Sequence, residues 1–249
     1  MNTLAHDGRV LQDALHALGA EPELCLRLSS FLSSHHPDAS SRLYHNLEHS
    51  LEVAGLTARS VGALSPPLPP SRRALLVFAA ALHDVDPGRV AGTPPRVEAT
   101  LAGLCERAAL RLISDFGERW NFTRGQVAAL ILATAHDADP LRLSNQRALF
   151  RAAARGAFPD DPEALEWGRA LAYWDKAATY VAAPELAHRR VVGLARELRA
   201  AAGGRGASDG ELLAGTPRFL AALRRDPLFA TLPLADRARF DATAASFAA

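Results

Sequence analysis

The chain has 249 residues, 49% of them hydrophobic, enough to bury a substantial core in one large domain or two small ones. Lys+Arg of 28 against Asp+Glu of 27 gives a formal net charge of +1, which excludes the broad basic field of a dedicated nucleic-acid binder. The longest apolar run, Ala74 to Leu82, is too short to cross a bilayer, and Met1 to Arg9 lacks a basic stretch followed by an apolar core; a cytoplasmic protein with no membrane partner is expected.

Apolar residues recur every three or four positions and alternating β-branched or aromatic runs are absent, so the expected fold is all-α. The first helices are expected over 10–18 and 21–34. The two cysteines, Cys25 and Cys105, form no C-x-x-C and sit on apolar helical patterns, which suits small core residues in a reducing compartment. A third helix is expected over 43–63. It carries His45 and His49, which at a spacing of four would share one face, with Glu52 close to that face and Glu48 rotated about 100° from His49. Asn46 stands where the zinc-protease pattern requires a glutamate base, so that chemistry is excluded. Such histidine pairs also arise by chance, and His45 and His49 gain weight only from the His83-Asp84 pair, His136 and Asp175 later in the chain.

Pro66-Pro67-Leu68-Pro69-Pro70 forms a stiff connector, with Ser71 as an N-cap candidate for a helix over 72–84. Pro87-Gly88 then leaves His83-Asp84 at or near a helix C-terminus. There both side chains can reach one cation, and the two oxygens of Asp84 could bridge two; a helix-terminal carboxylate beside a capping histidine is the competing explanation. Further helices are expected over 95–116, over 123–136 with Thr123 as cap and His136 at its end, and over 145–154, 162–182 and 184–202. After Gly203-Gly204-Arg205-Gly206, the last two are expected over 209–225 and 234–247. Arg189-Arg190 and Arg224-Arg225 suit solvated helix faces. His83-Asp84, His136 and Asp175 lie in or at the end of apolar, Ala-rich runs, where an unpaired ionisable group is costly; each requires a hydrogen-bond partner or a metal.

The segments Arg42 to Val53 (R-L-Y-H-N-L-E-H-S-L-E-V), His83-Asp84-Val85-Asp86-Pro87-Gly88, Ala133-Thr134-Ala135-His136 and Asp175-Lys176-Ala177 together resemble the signature of the HD-domain metal-dependent phosphohydrolase superfamily. The first is similar to the Y-H-N-x-x-H-x-x-D/E-V segment of its cyclic-nucleotide phosphodiesterase branch. Otherwise the likeness is closer to the small bacterial predicted HD phosphohydrolases and spans most of residues 40–245. The resemblance implies an HD-domain or phosphodiesterase-like helical bundle, expected as a single domain over 1–249 with its metal-binding core at about 40–185 and C-terminal helices at about 184–249.

It further implies His49, His83, Asp84 and Asp175 as metal ligands, and His45 as the acid that protonates the leaving oxygen. An imidazole with an ordinary pKa near 6.5 suits that task, and Glu48 or Glu52 could orient it. His136 is a candidate ligand for a second metal, with Asp137 and Asp139 as alternative donors and a hydrogen-bonded core histidine as the other explanation. Glu98 could match the acidic residue that follows the HD pair, or be an exposed helix-face carboxylate. Two departures stand out: no histidine follows Asp86, and Asp175 is flanked by Trp174 and Lys176. No glutamine follows Asp175 to clamp a purine, so cyclic-nucleotide specificity is not implied.

The expected cofactor is one or two divalent ions, with Mn, Fe, Zn or Ni suiting mixed His/Asp ligation and Mg a carboxylate-rich second position. The expected activity is hydrolysis of a small-molecule phosphate ester, a nucleotide by resemblance, with Arg42, Arg89, Arg96 or Lys176 as candidate phosphate grips or solvated surface charges. The alternative is an HD-type metal-binding sensor or partner-binding module with little turnover.

Overall fold

A computed structural model describes residues 9, 11–13, 15–36, 42–86, 92–93, 97–135 and 150–248, and among these no strand occurs. The all-α expectation holds. The helices with both bounds described are α1 (Pro22–His35), α2 (Leu47–Ser60), α3 (Pro70–Leu82), α4 (Val97–Gly103), α5 (Arg107–Trp120), α6 (Arg124–Thr134), α7 (Ala164–Ala178), α8 (Pro184–Ala201), α9 (Asp209–Arg225) and α10 (Leu234–Ala248), with 3-10 turns at Val61–Ala63 and Pro227–Thr231; residues 11–13, 15–17 and 150–157 are helical as well. No helix among the described residues is long and apolar enough to cross a membrane.

The centre of the molecule is α3, in which every residue from Ala74 to Leu82 is buried. A helix apolar on all sides must be surrounded, and α3 packs against α2, α5, α6 and α7. Small side chains at Ala79, Ala80 and Ala81 let those neighbours come close. Helices α2 and α7 also touch each other, so the C-terminal end of α3 is bracketed by both. Helix α7 is fixed from its far side: Tyr173 Oη donates to the Leu223 carbonyl at 3.1 Å, and Trp174 Nε1 donates to Thr231 Oγ1 at 3.0 Å. The aromatic residues that precede Asp175 are therefore anchors.

Several local expectations are revised. Helix α2 begins at Leu47, not at residue 43, because Asn46 caps it. Helix α3 begins at Pro70 with Pro69 as N-cap, ahead of Ser71; proline fits the first helical position, where its missing N–H has no partner to lose. The stretch 95–116 is two helices, α4 and α5, separated by Leu104 to Glu106, with Glu106 in the extended conformation of an N-cap. Cys25 is buried, but Cys105 falls in that break and is exposed, with Arg124 Nη1 donating to its Sγ at 2.8 Å. Thr123 does cap α6, in a reciprocal box with Gln126. Gly203 and Gly204 take φ of 61° and 87°, which suits glycine in the turn before α9. Residues 136–149 lie outside the described residues, and with them His136, Asp137, Asp139 and the start of the helix expected over 145–154.

Candidate metal centre

His49 is placed by the cap of α2. The Asn46 side-chain oxygen accepts from the His49 backbone N–H at 3.1 Å, while Asn46 Nδ2 donates to the Arg42 carbonyl at 3.0 Å. His49 thus sits in the first turn, and His45 lies before the helix. The two histidines do not share a helix face as expected, although they come together with ring centroids 6.2 Å apart. His83 is the C-cap of α3, and its Nδ1 contacts the Ala80 carbonyl at 2.7 Å. A carbonyl only accepts, so Nδ1 carries a proton; in the neutral ring Nε2 is then a bare lone pair. Asp84 follows directly, and Asp175 comes from the last turn of α7.

These elements bring one atom each of His49, His83 and Asp175 to within 4.8 Å of one another. Asp175 Oδ1 lies 3.1 Å from His49 Nε2 and 3.4 Å from His83 Nε2. Asp84 Oδ2 lies 3.2 Å from His83 Nε2 and 3.8 Å from His49 Nε2. His49 and His83 are only 1% and 4% exposed, yet His83 Nε2 and Asp84 Oδ2 have no hydrogen-bond partner. Burial pushes His83 down, but Asp84 and Asp175 more than reverse this and hold it well above the usual imidazole value. For His49 burial wins over the same carboxylates, and its pKa is lowered. Burial acts to raise Asp84, but the neighbouring histidines, His83 first, bring it below the usual carboxylate range; burial likewise opposes ionisation of Asp175, and His49 and His83 hold it well below that range. Ionised carboxylates facing an unpartnered ring nitrogen in a buried site are the donor set a divalent cation requires, and the residues fit one.

Beside this cluster is a second assembly that the sequence did not disclose. His45 Nδ1 pairs with Glu197 Oε2 at 2.6 Å, and Glu197 Oε1 accepts the Tyr44 N–H at 2.7 Å. Burial acts against protonation of His45, but Asp84, Glu197 and Asp175 together raise its pKa. The Tyr44 hydroxyl pairs with Thr179 Oγ1 at 2.9 Å, and its ring packs 4.6 Å from that of His49. Glu48 and Glu52, expected to orient His45, instead face Arg190, which lies 3.9 Å from Glu48 Oε1 and is hydrogen-bonded to Glu52. Arg190 is thus buried and paired, whereas Arg189 is exposed as expected. A signal for both existed: Arg190 and Glu197 are seven apart, two helical turns, on a face otherwise marked by Ala187 and Val191.

Other candidates fall elsewhere. Arg42 is fully buried against Asp86 and is no phosphate grip at the surface. Lys176 donates to the Ala172 carbonyl at 2.9 Å. Glu98 is exposed on α4 and is not among the gathered groups. Arg89 and Arg96 lie outside the described residues. One further histidine was missed entirely: His36, the C-cap of α1, is 4% exposed with neither ring nitrogen hydrogen-bonded.

The chain is similar in structure to the phosphodiesterase domain of a rhodopsin phosphodiesterase from Salpingoeca rosetta, with a TM-score of 0.62 over 99% of this chain and 87% of that one. At 16% identity the likeness shows the fold, in line with the expected phosphodiesterase-like bundle. No family model matches the chain, and no curated protein sequence is significantly similar to it.

Proposed function

We propose that this protein is a metal-dependent phosphohydrolase that cleaves a phosphate ester, with a nucleotide as the leading substrate class. The observation that carries it is the convergence of His49, His83 and Asp175, with Asp84 alongside, next to a histidine whose proton is held by Glu197. When bound there, a divalent cation supplies Lewis acidity toward phosphoryl oxygens and lowers the pKa of water.

The chain's own residues do the rest. His49, His83, Asp84 and Asp175 would hold the cation, and the Ala80 carbonyl orients His83 by fixing its Nδ1 proton. His45 is the general acid. With Nδ1 committed to Glu197, Nε2 is the nitrogen left to protonate the departing oxygen, and the Glu197 carboxylate favours the charged ring. Tyr44 ties this acid to the ligand set, because its backbone binds Glu197 while its ring packs on His49.

The test is metal analysis of the purified chain together with hydrolysis of bis-p-nitrophenyl phosphate and a nucleotide panel with added Mn²⁺. Stoichiometric metal and turnover lost in His83→Ala are expected. Turnover surviving that change would remove the assignment, and metal without turnover would leave a metal-binding sensor.

A further inference from the structure

A cleft of about 710 Å³ opens between α8 and the segment from Leu43 to Glu48, with Leu213 of α9 also in its wall. That volume falls in the range of roughly 300–1,000 Å³ typical of small-molecule sites. None of His45, His49, His83, Asp84 and Asp175 lines it, so it is separate from the proposed metal centre. It nevertheless adjoins the acid and its support along the chain: Leu43 and Asn46 flank Tyr44 and His45, and Arg196 precedes Glu197.

The wall is part apolar and part cationic. Arg189, Val192 and Arg196 recur at intervals of three and four on α8 and so share one face, two cations around an apolar side chain. Leu43, which is 46% exposed, and Leu213 extend the apolar surface beyond that helix. The charges do not cancel. Arg190 lies 3.9 Å from Glu48 and is bonded to Glu52, while Arg196 and Arg199 share Asp209 at 3.0 and 2.8 Å. Three arginines are thus matched by three carboxylates, and Arg189, exposed and with no ion-pair partner among the described residues, is the surplus charge. Arg190 is 4% exposed, yet its Nη1 has no hydrogen-bond partner, so the wall also holds donor capacity that the protein does not use.

We infer that this cleft is a binding site for an organic phosphate, with the anionic group at Arg189 and the apolar body over Val192, Leu43 and Leu213. An unmatched arginine beside open apolar surface recognises both halves of such a ligand, and neither half alone fills the cleft. Two sources share this chemistry: a non-reacting phosphate-bearing end of the substrate, or a separate organic phosphate bound beside the acid. The binding itself does not depend on the metal centre; only the first source rests on the proposed hydrolase reading.

The test uses the full chain and calorimetry, with 1-naphthylmethylphosphonate, which cannot be hydrolysed as an ester, titrated into metal-free protein; there the carboxylates of the empty centre repel an anion. Wild type is expected to bind the phosphonate at least about tenfold more tightly than inorganic phosphate, because the apolar body is covered as well. Arg189→Glu, a change at an exposed position, is expected to weaken phosphonate binding by about tenfold or more, since a charge-assisted contact gives way to a like charge. No phosphonate binding by wild type, affinity no better than for inorganic phosphate, or a change within about twofold in Arg189→Glu would overturn the inference. Kinetics with Mn²⁺ then separates the sources. A KM for a nucleotide raised in Arg189→Glu, with kcat and the hydrolysis of bis-p-nitrophenyl phosphate unchanged, assigns the cleft to the far end of the substrate. An unchanged nucleotide KM, with phosphonate binding still lost, assigns it to a separate organic phosphate. Absence of turnover in wild type would remove the hydrolase reading and leave the cleft to be decided by the titration in metal-free protein.

Discussion

His45–Glu197 and His83–Asp84 are both imidazole–carboxylate pairs, yet they are finished in opposite ways. In the first, the ring meets one carboxylate oxygen at 2.6 Å and the other oxygen takes the Tyr44 N–H, so both oxygens of Glu197 are satisfied within the protein. In the second, the Nδ1 proton is spent on the Ala80 carbonyl, and Nε2, which the carboxylates draw toward a second proton, is left 3.2 Å from Asp84 Oδ2 with neither atom hydrogen-bonded. The difference separates two tasks that the sequence motif runs together. A pair whose carboxylate is fully bonded keeps its proton in place; a pair with open lone pairs calls for something else to complete it.

If that division is right, the two pairs fail differently when broken. His83→Ala or Asp84→Ala is expected to abolish stoichiometric metal and to lower kcat/KM for bis-p-nitrophenyl phosphate beyond about 10⁴-fold, because Lewis acidity and water activation are lost together. His45→Ala is expected to cost about 10²- to 10⁴-fold in kcat, with metal content by elemental analysis unchanged. Loss of metal in His45→Ala would merge the two pairs into one ligand set.

A finer cut comes from Glu197→Gln, which preserves shape and removes charge. In wild type the active form has His45 protonated, the Glu197 carboxylate favours that form, and activity is expected to fall as pH rises through the His45 pKa. Removing a carboxylate that raises this pKa shifts the alkaline limb to lower pH. The variant is therefore expected to lose about tenfold in kcat at pH 8 and much less at pH 6, with metal affinity retained. An unshifted limb would show that another group supplies the proton.

The proposed ligand pair was visible in the sequence because its parts are local: His83-Asp84 adjoin, and the Pro87-Gly88 stop forecast a helix end, which the C-cap position of His83 matches. The all-helical fold was visible for a similar reason, since a period of three to four is written along each segment. The support of His45 was not. Glu197 is 152 positions away, and nothing in the residues around His45 points to it. The nearest acids, Glu48 and Glu52, were plausible by spacing but depended on a helix through residue 45, and Asn46 starts the helix one residue too late for that. Arg190 was misjudged because a charge beside Arg189 suggests solvent, whereas the helix turns one arginine outward and the other onto Glu52. His36 carried no spacing signal, since no motif residue adjoins it.

The smallest effect is expected where α8 touches the segment that carries His45. A Cβ added at Gly193 would lie 2.8 Å from Leu43 Cβ and 3.1 Å from the Leu43 carbonyl carbon. Replacing a helical glycine by alanine ordinarily stabilises by up to about 1 kcal/mol, so the sign depends on whether the segment can retreat. Here it is held on both sides of Leu43: Arg42 is buried against Asp86, the Tyr44 N–H binds Glu197, and Asn46 caps α2. Gly193→Ala is therefore expected to destabilise by about 1 kcal/mol net, lowering Tm by roughly 2–4 °C. Because the strain falls on the acid's side of the site, kcat should drop a few-fold while Mn²⁺ affinity stays at the wild-type value. A higher Tm with unchanged kcat would mean that residues 42–46 adjust freely, and the firm placement of His45 would then have to come from Glu197 alone.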